Sequence, residues 1–111
     1  MFQVGQGLFG KIMFADGQSP SYNRPYLVVE VLSDKLGVLN VSSIAGKEYK
    51  LLFPTNKEVL KYNPPFLKRS FVKLDSLTYI SIKDAQQMRL LDNGKYLDRL
   101  ELNDIFNSII K

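Results

Sequence analysis

Two short stretches of this 111-residue chain combine residue types that can handle a phosphate group. The first is Asn23-Arg24-Pro25, which runs directly into the apolar segment Tyr26-Leu27-Val28-Val29-Glu30-Val31-Leu32. Pro25 fixes its own φ near −65° and biases Arg24 towards an extended backbone, so the guanidinium leaves the chain from a defined place. The second is Val41-Ser42-Ser43, at the end of another short apolar run. A permanent cation and a pair of hydroxyls, each at a strand end, suit a phosphodiester better than a metal ion or an apolar cofactor.

Other chemistries are closed off by composition. The chain has no cysteine and no histidine, which removes thiolate nucleophiles, disulfides, zinc–thiolate clusters and the commonest general base and metal ligand. Asp and Glu are scattered singly, so no metal cage and no cofactor is expected. Gly5-Gln6-Gly7-Leu8-Phe9-Gly10 has the glycine spacing of a dinucleotide fingerprint. A strand is expected after it where that motif needs a helix.

Net charge is +4 and unevenly distributed. Residues 1–46 are balanced, residues 47–73 carry seven cations against two carboxylates, and residues 74–111 carry five against six. The whole excess lies in the central segment, which points to an anionic partner such as nucleic acid, or else to a solvated lysine-rich loop. Lys57, Lys61, Lys68 and Arg69 are the candidate backbone-binding cations, and Tyr62 and Phe66 either stack bases between them or fold onto the core. An Arg at a strand edge also commonly pairs with a nearby carboxylate, here Asp16.

These groups must be positioned by a single domain, 1–111, of many short strands. Strands are expected over Leu8–Phe14, with Gly10 as a bulge or close-approach point, and over Tyr26–Leu32, Leu36–Ser42, Glu48–Phe53, Arg69–Leu74 and Leu77–Ile82. Gln87–Leu91 is a weaker strand candidate before the turn Asp92-Asn93-Gly94, and Asn56–Tyr62 reads as a short helix halted by Pro64-Pro65. Asp16–Ser21 is dense in turn formers. At the C-terminus Leu102, Ile105, Phe106, Ile109 and Ile110 recur on one helical face, with Asp98 and Glu101 as a capping pair. The expected architecture is a small, bent antiparallel sheet or partly open barrel with a terminal helix. No apolar run reaches the ~20 residues that span a bilayer, and Met1–Gly10 lacks the cations of a secretory signal, so a cytoplasmic protein without membrane association is expected.

The order of these features resembles the MazF/PemK family of toxin endoribonucleases from bacterial toxin–antitoxin systems. It comprises a glycine-led first strand ending Phe14-Ala15-Asp16, Arg24-Pro25 before Leu-Val-Val, a strand closing on Val41-Ser42-Ser43, Phe71-Val72-Lys73-Leu74-Asp75-Ser76-Leu77-Thr78-Tyr79-Ile80, and the terminal helix. The resemblance spans Gly7 to Ile110 and rests on order and spacing. It implies an SH3-like, partly open barrel with a C-terminal α-helix, a homodimer, and metal-independent cleavage of single-stranded RNA, with a cognate antitoxin covering the RNA groove. The family's active Arg matches Arg24, and its active Thr or Ser matches Ser42, with Ser43 beside it. The loop from Asp16 to Asn23 is shorter than in typical members, and Gln18, Ser21, Tyr22 and Asn23 stand where their contacts would be.

In such a reaction the RNA 2′-hydroxyl attacks the adjacent phosphate and leaves a cyclic phosphate and a free 5′-hydroxyl. Arg24 would stabilise the transition-state charge and Ser42 would hold a non-bridging oxygen. The general base stays open between Asp16 and Tyr22. The alternative is a non-catalytic barrel, either a nucleic-acid adaptor or a protein resembling the CcdB gyrase poisons, in which a C-terminal Trp would be expected. This chain has no Trp. A structural module of a phage or mobile element is a third possibility.

Overall fold

The Tyr26–Val29 run is apolar at every position because both of its faces are covered. Tyr26 and Val28 pack with Leu8, Leu36, Val38 and Ile80 on one side of the sheet, while Leu27 and Val29 pack with Leu39, Val41, Val72 and Leu102 on the other. The computed structural model describes residues 1–12, 23–59, 65–66 and 68–110. The last two residues of the first expected strand, most of the Asp16–Asn23 loop and Tyr62 lie outside the described residues.

Among the described residues seven strands form one antiparallel sheet: β1 (Gly7–Gly10), β2 (Arg24–Val31), β3 (Lys35–Ser43), β4 (Asn56–Glu58), β5 (Ser70–Lys73), β6 (Thr78–Ser81) and β7 (Arg89–Leu90). Six of them run in the order β4-β5-β3-β2-β1-β7, and β6 joins off this path on β3. The nine-residue β3 is the spine, pairing along one edge with β2 and along the other with β6 through Lys35–Val38 and β5 through Val41–Ser43. A bulge between Val28 and Glu30 bends the β2–β3 ladder. The end strands β4 and β7 do not pair with each other among the described residues, so the sheet stays open.

Two helices cover the faces. Helix α2 (Arg99–Asn107) is capped by Asp98, whose carboxylate accepts from the Glu101 N–H, and it buries Leu102 and Ile105. Phe106 and Ile110, expected on the same face, are about half exposed, because only the Leu102–Ile105–Ile109 edge meets the sheet. Helix α1 (Ile82–Ala85) has no strong sequence signal beyond Ser81, whose hydroxyl accepts from the Asp84 N–H, and it buries Ala85 against the opposite face. Gly10 is a close-approach point as expected: a Cβ there would lie 2.8 Å from Met88 Cγ.

Two expected elements are different in kind. Glu48–Leu52 is a 3-10 helix, not a strand, and none of its residues is buried. Tyr49, Leu52 and Phe53 have a strand-like pattern but no sheet edge to join, since the outer edge of β5 is taken by β4. Asn56–Glu58, expected to begin a helix, is that edge strand. It pairs with Phe71–Lys73, and flanking bonds from Leu74 N–H to Thr55 C=O and from Val59 N–H to Ser70 C=O extend the ladder. Val59 is then fully buried, which a short solvated helix could not achieve.

Candidate functional site

Tyr26 and Asn40 are Cα partners across β2 and β3. That pair is the outermost of the β2–β3 ladder; beyond it β2 carries on to Arg24, paired with Gly10 of β1, and β3 carries on to Ser42, paired with Phe71 of β5. Alternation puts both on the side of the sheet shared by Tyr26 and Asn40. They line a common groove of about 690 Å³, comparable to small-ligand clefts of roughly 300–1,000 Å³. Asn23 and Ser43 line it as well.

Six cations surround this groove, Arg24, Lys47, Lys50, Lys68, Lys73 and Arg89, with Asp92 the single lining carboxylate among the described residues. Its apolar wall includes Phe9, Pro25, Pro65 and Phe66. Phe66 is only 5% exposed and belongs to the core, so its ring supports the groove from below and does not form an exposed stacking strip. Arg89 lies over the Phe9 ring at 5.2 Å, a cation–π contact that holds its guanidinium at the rim.

The residue most closely joined to Ser42 is one that strand reasoning did not single out. Lys47 Nζ donates to Ser42 Oγ at 3.2 Å, and that hydroxyl in turn donates to the Ser43 carbonyl at 3.4 Å. Lys47 reaches back because residues 44–47 make a tight turn, with the Lys47 N–H donating to the Ile44 C=O at 2.6 Å and Gly46 at φ +76°. A positive φ at the third turn position favours glycine, so Gly46 four residues after Ser42 was the available signal. The 3-10 helix that follows carries Lys50 to the same rim.

Other sequence candidates go elsewhere. Lys57 Nζ is 2.8 Å from Asp104 Oδ2 and ties β4 to α2. Arg69 donates through Nε and Nη2 to Glu58 Oε2, at 3.3 and 2.9 Å, across the β4–β5 edge. Neither lines the groove, whereas Lys68 does. Asp16, Gln18, Tyr22 and Lys61 lie outside the described residues.

The fold and site together define a mainly β protein with an open antiparallel sheet, at one end of which a basic groove receives a strand-end Arg and a strand-end Ser. Neither the protein-family models nor the curated proteins contain a match to this chain. No helix among the described residues is long and apolar enough to cross a membrane.

Proposed function

We propose that this chain is a metal-independent endoribonuclease toxin of the MazF/PemK kind. It would cut single-stranded RNA by 2′-hydroxyl attack, leaving a 2′,3′-cyclic phosphate and a 5′-hydroxyl. The observation that carries the reading is the meeting of Arg24 and Ser42 in one cation-lined groove, with Lys47 donating to the Ser42 hydroxyl.

The chemistry follows from what these groups can do. RNA brings its own nucleophile, so the protein's task is to hold the phosphate and to stabilise the charge that builds on it. The Arg24 fork can give two parallel hydrogen bonds to phosphate oxygens, while Ser42 at the end of β3 and Lys47 from the turn after it donate to a non-bridging oxygen. Lys50, Lys68, Lys73 and Arg89 continue the positive lining along the flanking backbone. Asn23 at the mouth, with Gln18 and Tyr22 from the preceding loop, is assigned to contacts with bases. Bent further, the open sheet corresponds to an SH3-like, partly open barrel. A homodimer, a cognate antitoxin that covers the groove and a cytoplasmic location belong to the same proposal.

The test is incubation of the purified protein with long single-stranded RNA in EDTA. Discrete cuts ending in cyclic phosphate, lost in Arg24→Ala, are expected. RNA left intact across many sequences while still bound tightly would instead assign the groove to a nucleic-acid adaptor.

A further inference from the structure

We propose that Asp92 is the general base of this reaction, accepting the proton of the attacking 2′-hydroxyl; the proposal rests on the endoribonuclease reading above. Asp92 lines the same groove as Arg24 and Ser42. Among the described residues its carboxylate enters no hydrogen bond or ion pair, although six cations share the groove. A structural carboxylate in such surroundings would be expected to settle on a cation, as Asp104 and Glu58 do on Lys57 and Arg69.

The backbone beneath it is built to hold the side chain there. Asp92 (φ 47°), Asn93 (φ 56°) and Gly94 (φ 81°) are three consecutive residues in left-handed geometry. Such geometry persists where surrounding structure over-determines it. Here the over-determining contact is Gln6, which is 6% exposed and donates through Nε2 to the Gly94 carbonyl at 2.8 Å, while its Oε1 accepts from the Gln3 N–H at 2.9 Å. The Lys95 N–H closes the turn onto the Asp92 carbonyl at 3.1 Å. Leu91, immediately before the turn, is partly buried and packs against the core, so the carboxylate stands on an anchored base.

In the step itself, the 2′-hydroxyl proton passes to the Asp92 carboxylate as the 2′-oxygen–phosphorus bond forms. The bond from phosphorus to the 5′-oxygen breaks, and that oxygen leaves with a proton from water. Asp92 returns its own proton to solvent, and the proton count closes with no redox change.

The experiment measures kcat on a single-stranded RNA and affinity for its 2′-deoxy counterpart, which binds but cannot be cut. Asp92→Asn keeps the shape and the tolerance for left-handed backbone, and Asp92→Gly is a second variant suited to the same φ. Both should lower kcat about 10²–10⁴-fold, the range for loss of a general base, with affinity for the deoxy strand unchanged or tighter. Asp92→Asn at the unmodified rate, with Arg24→Ala inactive, overturns this proposal and leaves the nuclease reading standing. A fall in kcat matched by an equal fall in affinity or Tm makes Asp92 a turn residue only. RNA left intact by the unmodified protein overturns both.

Discussion

Seven cations lie between Lys47 and Lys73, and the six among the described residues divide between two regions with different electrostatic fates. At the groove, Lys47, Lys50, Lys68 and Lys73 join Arg24 and Arg89 around a single carboxylate. At the β4–β5 edge, Lys57 and Arg69 each meet an acid, Asp104 and Glu58. The first region keeps its positive potential for an anion from outside, whereas the second neutralises its charge to fasten β4 in place. A basic run in sequence is therefore two different objects once folded, and the proposed RNA contacts fall to the groove half.

The comparison breaks first at Arg24. Arg24→Ala should lower the RNA cleavage rate about 10²–10³-fold, or ~2.7–4 kcal/mol of transition-state stabilisation. A variant that keeps cutting would remove the groove's claim to chemistry.

Gly46→Ala tests the turn that carries Lys47 to Ser42. A Cβ there meets nothing within 4 Å, so the cost is the φ of +76° alone, about 1–2 kcal/mol, seen as a lower midpoint in urea. Cleavage should fall as well, because Lys47 is drawn away from the Ser42 hydroxyl.

Lys50→Gln and Lys57→Gln make the comparison directly. Removing one phosphate contact should reduce the salt slope for single-stranded RNA by about 0.7, and this is expected for Lys50 but not for Lys57. The Lys57 variant should instead lose ~0.2–1 kcal/mol of stability, since its Asp104 partner is largely exposed and the pair is screened. Equal slopes for the two variants would erase the distinction between the regions.

The smallest effect belongs to a third charge-matched spot. Tyr79 lies over Gly37, donates to Glu30 Oε1 at 2.6 Å and sits beneath Lys35 Nζ at 5.1 Å. Its phenol is raised above the ordinary value of 10, first by that hydrogen bond, then by desolvation, then by the Glu30 charge. A raised folded-state value stabilises the protein fully below the unfolded pKa, and this contribution disappears as pH climbs through the folded one. Titration of the phenolate absorbance should show the upward shift in the unmodified protein and lose it in Glu30→Gln, with RNA cleavage unchanged.

Much of the frame was legible in the chain. Tyr26–Leu32 read as a largely buried strand from its β-branched residues and single charge, and Tyr26–Val29 is buried; Asp98 and the face of Leu102, Ile105, Phe106, Ile109 and Ile110 marked α2, of which Leu102, Ile105 and Ile109 meet the core. The β5, β6 and β7 segments fell close to their expected places. Glu48–Leu52 and Asn56–Glu58 were misread because their local patterns are weak and pairing decided them: once β4 occupies the edge of β5, the preceding apolar residues have no partner strand. At the site, Arg24 and Ser42 stood out by residue type, whereas Lys47, Arg89 and Asp92 did not.

Sequence alone determined which groups this protein has for chemistry: no thiol, no imidazole, one rigidly introduced guanidinium, and hydroxyls at the end of an apolar run. Those facts are covalent and need no neighbours. Which of them line one groove was decided only in three dimensions, by the placement of β2 beside β3, the turn at Gly46 and the left-handed turn at Asp92. The strand placement and the Asp92 turn depend on hydrogen bonds between residues distant along the chain, such as Gln6 to Gly94, which no local pattern of side chains encodes, whereas the Gly46 turn closes locally from Lys47 to Ile44.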